Sequence, residues 1–273
     1  MLKDITLGQY YQTDSKIHRM DPRVKLLGTI AYIITLFVYR NLTIYLCAFA
    51  FLVFVITLSK VPFRYIVRGL KMIVVLLLFT AFFNLLLTPG EPIWSWWKFS
   101  LTIEGIQSAF YLCIRLIFLI IGSSLMTLTT TPNQLTDGLE SLLGPLKVIK
   151  VPVHEISMMM SIALRFIPIL VEETDKIMKA QMARCADFDS GNIIKKTKAL
   201  IPLLIPLFIS AFRRANDLAM AMEARCYQGG EGRTKMKPLK YKKLDFAAFA
   251  FLLIYTVGAI LLGKFFPITI LMK

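Results

Sequence analysis

Ala180-Gln181-Met182-Ala183-Arg184-Cys185 returns 41 residues later as Ala221-Met222-Glu223-Ala224-Arg225-Cys226, so the phrase Ala-x-x-Ala-Arg-Cys occurs twice. Each copy stands where a long helical pattern runs out. Asp187, Ser190 and Gly191 follow the first and Gly229-Gly230 the second, residue types that favour leaving a helix. Arginine presents a rigid fork of five donors and stays charged at any physiological pH. One arginine at a helix end is accounted for by the C-terminal dipole, worth about 0.3–1 kcal/mol. Two in the same phrase, each flanked by alanines that keep the approach narrow, point to contact with a partner.

The chain around these phrases is too apolar for a soluble domain. Of its 273 residues 56% are hydrophobic, twenty of them Phe, against an apolar share of about 45–50% in soluble proteins. The reading is an all-α membrane protein. Its net charge of +15 is the excess of Lys and Arg that cytoplasmic segments of membrane proteins carry; with no RNA-binding motif or zinc-finger spacing, nucleic acid is not an expected partner. Cys47, Cys113, Cys185 and Cys226 form no CxxC pair, so neither a disulfide framework nor a metal site is expected. The polar start, Met1 to Lys25, lacks the short apolar core and cleavage site of a signal peptide.

A spanning helix needs about 17–25 mostly apolar residues. Five stretches reach or approach this length: Val24–Tyr39 and Thr43–Ser59, both near the short limit, Leu70–Leu87, Gly105–Thr130 and Leu244–Phe266. Arg40-Asn41 reads as a tight hairpin and Thr88-Pro89-Gly90 as the end of the third span. Lys3, Lys16, Arg19, Arg23 and Lys25 precede the first span, and Lys60, Arg64, Arg68 and Lys71 lie around the second loop. The positive-inside bias then puts the N-terminus and the segment 131–243, with its eighteen Lys or Arg, in the cytoplasm of a cell-membrane protein. Trp94, Trp96 and Trp97 in the third loop suit an interfacial belt. The domain reading is 1–130, four spans; 131–243, a cytoplasmic region; and 244–273, the last span.

Within the cytoplasmic region, Gln134–Leu146 reads as a short amphipathic helix and His154–Arg184 as a long one with a bend at Pro168. Its distal half sets Val171, Met178, Met182 and Cys185 on one face and Glu172, Glu173, Asp175 and Lys176 on wetter ones. The second long helix includes Ala199–Phe212, interrupted by Pro202 and Pro206, read as buried or interfacial, with a sixth span as the alternative. Beyond it Phe208, Phe212, Ala215, Ala219, Met222 and Cys226 step by four and three, a packing seam. Ala180, Ala183, Ala215, Ala219 and Ala221 would let the two long helices cross closely.

These features together resemble the transmembrane T component of energy-coupling factor transporters, a family that includes the T subunit of cobalt and nickel importers. In that family two long coupling helices each end in an Ala-Arg-Gly-like triplet that docks on one of two ATPases. The matching residues are Ala183-Arg184-Cys185 and Ala224-Arg225-Cys226, with cysteine where glycine is usual. The segment Ser15 to Leu26, containing Asp21-Pro22-Arg23, looks like the family's lead into the first span. Pro152-Val153-His154-Glu155, then Ala163-Leu164-Arg165-Phe166-Ile167-Pro168 and Glu172, looks like its first coupling helix. The resemblance implies a non-catalytic subunit that binds no cofactor. ATP and Mg would sit on two partner ATPases, and a small membrane S subunit would bind the vitamin or micronutrient. A dedicated cobalt or nickel importer is the alternative within the family, and an autonomous secondary carrier the alternative outside it.

The remaining motifs fit that frame. His154-Glu155 is no zinc-protease signature, because the i+4 position is Met158. Asp21 and Pro22 suit the cap and first position of a helix. Gly229 to Lys235 does not form a phosphate-binding loop. Arg115 is a lone charge inside the fourth span, where such groups face protein or a partner; its partner is expected to be a carbonyl, water or another subunit. Met158, Met159, Met160, Met178 and Met182 either fill a helix core or form an adaptable surface for the S subunit.

Overall fold

The computed structural model describes residues 10–38, 41–71, 73–89, 92–96, 99–186, 188, 193–230, 236 and 238–265. In chain order the elements are α1 (Pro22–Val38), α2 (Leu42–Ser59), α3 (Phe63–Lys71), α4 (Val74–Leu87), β1 (Pro92–Trp96), β2 (Phe99–Thr102), α5 (Ile103–Thr129), α6 (Pro132–Leu142), a 3-10 segment (Gly144–Ile149), α7 (Val153–Ala183), α8 (Ile193–Glu223) and α9 (Lys243–Phe265). They fall into two compact units, 10–138 with 239–265, and 139–238. The all-α membrane class holds.

In the first unit the apolar helices are apolar on every side, and their small and aromatic residues select the inner face. Tyr32 and Leu36 of α1, Tyr45, Ala48 and Leu52 of α2, Tyr111 of α5 and Tyr255 of α9 make one buried cluster. Leu46, Phe49, Val53 and Phe54 of α2 point outward and are exposed, which is how a span in hydrocarbon arranges itself. A Cβ on Gly122 would lie 2.6 Å from the Tyr32 ring. Only glycine lets that ring press on the α5 backbone.

The helix starts are set by side chains. The Asp21 carboxylate accepts the Arg23 N–H at 2.9 Å, with Pro22 at the first helical position, where its missing N–H costs nothing. Thr102 accepts the Gly105 N–H at 3.1 Å and caps α5. At α6, Thr131 Oγ1 accepts the Gln134 N–H while the Gln134 side chain accepts the Thr131 N–H, each at 3.3 Å, a reciprocal capping box.

Three features depart from the sequence expectations or add to them. The stretch Leu70–Leu87 is not one helix: α3 and α4 meet at a bend of 55°. The continuous apolar run hid the break, but α3 is amphipathic and carries Arg64 and Lys71, whereas α4 carries no charge and is polar only at Thr80 and Asn84. Fourteen residues reach about 21 Å, short of a hydrocarbon core of about 30 Å. Second, the loop before α5 contains an antiparallel hairpin pairing Ser95 with Ser100 and Trp96 with Phe99. Trp97 and Arg40 lie outside the described residues. Third, the set of helices long and apolar enough to span differs from the expected five. It comprises α2, α5, α7, Ala199–Glu223 of α8, and α9, with α3 and α4 as a bent sixth. At 17 residues α1 stands at the short limit of the spanning range. Length and composition alone therefore do not separate α7 and α8 from true spans.

Candidate functional site: two matched helix caps

Both Ala-Arg-Cys phrases fold into the same hydrogen-bonded turn. At the end of α7 the Cys185 N–H donates to Met182 O and the Ala186 N–H to Gln181 O, both at 3.0 Å. At the end of α8 the Cys226 N–H donates to Glu223 O at 2.8 Å and the Tyr227 N–H to Met222 O at 3.1 Å. These are two Schellman motifs in identical register. Ala183 is the last residue of α7 and Ala224 directly follows the last residue of α8, Arg184 and Arg225 come next as the cap residues, and Cys185 and Cys226 occupy the left-handed position with φ of 63° and 55°. That position asks for glycine; in an L-residue the left-handed conformation costs roughly 1–2 kcal/mol. The cysteines noted as departures stand at the one place in each cap where the departure is felt.

All six cap residues are exposed. Among the described residues neither the Arg184 nor the Arg225 side chain has a hydrogen bond or ion pair.

Two polar links fix how α7 and α8 pair. The Glu173 carboxylate accepts from Ser210 Oγ at 2.6 Å and from the Arg214 guanidinium. Gln181 Nε2 donates to Pro202 O at 3.3 Å. That carbonyl is available because Pro206, four residues on, has no N–H to give it. Moving along α7 from Glu173 to Gln181 is moving back along α8 from Ser210 to Pro202, so the helices run antiparallel. The two arginines therefore sit at opposite ends of the pair. Arg225 lies 23 residues beyond Pro202, which at 1.5 Å per residue separates the tips by about 35 Å.

The pairing face of α8 is not the expected one. Phe208, Phe212, Ala215 and Ala219 are exposed, as are Ala180, Ala183 and Ala221, while Leu203, Leu207, Ser210, Arg214 and Leu218 turn inward. Glu173, read from sequence as wet, lies in the contact. A carboxylate that demands Ser210 and Arg214 rotates the helix away from its most apolar stripe.

At the start of α7, His154 Nδ1 donates to Glu140 Oε1 at 3.1 Å and Ser157 Oγ donates to Glu140 Oε2 at 2.8 Å. A Cβ on Gly230 would lie 2.7 Å from the His154 ring, so the chain beyond the second tip returns closely to this end. Glu155 is in the first turn of α7. Arg165 and Pro168 are exposed, with Pro168 inside a helix that continues past it. Of the methionines, Met158 and Met178 are half-buried and Met159, Met160 and Met182 exposed.

Arg115 has a partner within the chain, contrary to expectation. Its Nε donates to the Tyr45 hydroxyl at 3.3 Å, and its guanidinium lies 5.4 Å from the centre of the Phe37 ring. Sequence reasoning also passed over Asp245, which is 1% exposed. Its carboxylate accepts the Lys242 N–H at 2.7 Å and the Asp21 N–H at 2.8 Å, tying the starts of α9 and α1 together. An acid three residues into a helix was the available signal; its second bond, across 224 positions, had none. Near by, His18 Nε2 donates to Tyr11 O at 3.0 Å and its Nδ1 accepts from Ser15 Oγ at 2.7 Å. Burial lowers the His18 pKa from the usual histidine value. Among the described residues no group of three His, Cys, Asp or Glu is placed to hold a metal ion.

A multi-pass membrane protein of the all-α class, with two matched arginine caps at opposite ends of one helix pair, is thus defined. A family model described as cobalt transport protein (CbiQ) matches residues 13–236. The energy-coupling factor transporter transmembrane protein of Clostridium kluyveri is 55% identical over 250 residues, covering 91% of this chain and 93% of the relative. Proteins of the same name from Bacillus subtilis (47% over 246 residues; 90% and 93% covered) and Lactococcus lactis (46% over 264; 96% and 99%) match likewise. The chain belongs to the CbiQ family, among the transmembrane proteins of energy-coupling factor transporters.

Proposed function

We propose that the chain is the coupling subunit of an ATP-driven importer, with Arg184 and Arg225 each docking on one of two partner ATPases. The observation that carries this reading is the pair of identical, exposed caps with unpaired arginines about 35 Å apart. One motor subunit could not occupy both ends symmetrically; two related ones can. Each guanidinium would enter a groove lined by carboxylates or helix-end carbonyls, where its fork gives orientation as well as charge.

In this reading ATP and Mg belong to the partners, and the chain itself binds no cofactor and catalyses no reaction. Closure of the ATPases on ATP moves the two tips, and the α7–α8 pair pivots about the Glu173–Ser210–Arg214 contact. Chain continuity carries the motion into α5 and α9. A separate small membrane S subunit would then be reoriented to release a vitamin or other micronutrient inward. The population of the moved state comes from differential contact with the ATPases. The polar segment 131–243 and the N-terminus face the cytoplasm, and the charges on α7 and α8, including the Glu173–Arg214 ion pair, favour keeping that pair out of the hydrocarbon.

The test is co-purification of the Arg184→Glu, Arg225→Glu double variant with the ATPases, at matched expression and with melting in detergent as folding control. Wild type carries both ATPases and the variant loses them. A well-folded variant that binds as wild type returns the arginines to the role of helix-end charges.

A further inference from the structure

Lys25 is a buried cation with no carboxylate in contact with it among the described residues. It lies in the first turn of α1, 8% exposed. Its Nζ donates to Thr129 O at 2.8 Å and to His18 O at 3.3 Å. An ammonium has three donors, so one remains. Among the described residues no carboxylate stands within ion-pair distance of it. The carboxylates of the neighbouring network, Asp21 and Asp245, act on it through space only and direct their oxygens to backbone N–H groups. A buried ammonium with one donor unused and no carboxylate in contact favours an anionic acceptor that reaches it directly.

Lys25 lines a partly open cavity of about 300 Å³ formed by the segment before α1 together with α1, α2, α5 and α9, at the small end of the roughly 300–1,000 Å³ range of ligand pockets. One end is polar, with Lys16, Lys25 and Thr129; the other is walled by Tyr32, Phe51 and Leu252. From Lys25 to Tyr32 is seven residues of α1, about 10 Å of depth. Phe54 of α2 and Phe251 of α9 touch at 4.7 Å between ring centres and are partly exposed on their far sides, so the rim between these helices is aromatic. A water cluster needs several polar partners per molecule, which the deep end lacks. A small inorganic anion would use the lysines and leave the apolar depth empty. A neutral hydrocarbon would leave the cation unanswered.

We propose that this cavity is a binding site for one acyl chain of an anionic phospholipid, whose phosphate accepts the free Nζ–H of Lys25 with Lys16 beside it. The chain fills the depth between Tyr32 and Phe51, and the headgroup stays at the polar end, where α1 and α9 begin and α2 and α5 finish. The site involves neither arginine tip, so it stands or falls apart from the docking reading.

The test uses the full-length protein in nanodiscs and in detergent after delipidation, titrated with phosphatidylglycerol or with phosphatidylcholine of the same acyl chains and read by native mass spectrometry. Wild type retains one phosphatidylglycerol and prefers it by about tenfold or more, the range expected for a hydrogen bond between charged groups. Ala248→Phe, which fills the cavity from α9, loses retention of both lipids. Lys25→Met removes the preference, and Lys16→Gln, at an exposed position that leaves folding intact, weakens it. Retention by Ala248→Phe equal to wild type overturns the proposal, as does equal retention of the two lipids by wild type.

Discussion

In the bundle of α1, α2, α5 and α9 the polar groups at one end are buried and bonded to the backbone of other elements. Asp245 holds two N–H groups, Lys25 two carbonyls and His18 one. In the α7–α8 pair the principal polar link, Glu173 with Arg214, is partly open to solvent, at 23% and 41% side-chain exposure. Of the described residues in that pair only Val153, Ser157 and Leu203 are buried. The bundle specifies its own geometry. The pair has a register, set by a few links, and little else to resist being moved. That is the division of labour a coupling protein needs: a stiff part to work on and a compliant part to be driven.

Substitutions should widen or erase this contrast. The largest effect belongs to Asp245→Ala, which leaves the buried N–H of Asp21 without an acceptor at about 1–3 kcal/mol and removes the cap on the Lys242 N–H at about 0.5–2 kcal/mol. The melting temperature in detergent should fall by roughly 5–10 °C, and an unchanged value would remove Asp245 from the account of the bundle. A smaller effect, also in the bundle, concerns pH. Because His18 is held neutral by burial and its folded pKa is depressed, the unfolded chain takes up the proton more readily. Its contribution to stability is complete above about pH 6.5, the ordinary histidine value, and is lost as pH falls through the depressed one. Replacing His18 by Gln should flatten melting temperature against pH in that acid window.

In the helix pair the changes are smaller and one is of opposite sign. Cys185→Gly and Cys226→Gly relieve the left-handed backbone and should each stabilise their cap by about 1 kcal/mol. Slower hydrogen exchange at the Ala186 and Tyr227 amides would report it. Least of all, Glu173→Gln should cost under about 1 kcal/mol, as exposed ion pairs do. A loss as large as that of Asp245→Ala would mean that the pair is as rigid as the bundle.

What could be read from the chain divides along the same line. The arginine caps were legible because one phrase occurs twice, and the glycine-like demand at Cys185 and Cys226 was visible against the family's triplet. The spans were legible wherever an apolar run coincided with one helix, as in α2, α5 and α9. It failed at Leu70–Leu87, where hydropathy runs on through a break that backbone geometry makes. The seam on α8 was misread because Phe208 and Phe212 have the spacing of a packed face. Which face packs was decided by Glu173, on another helix. Asp245 and Lys25 look like edge charges until the fold brings Asp21, His18 and Thr129 around them.

The left-handed cap residues have one practical consequence. Cys185 and Cys226 are free and exposed, whereas Cys47 and Cys113 are half-buried. The protein thus carries a thiol handle at each end of its α7–α8 pair. Spin labels or fluorophores attached there would act as a molecular ruler of about 35 Å, reporting any change in the distance between the tips without an engineered cysteine.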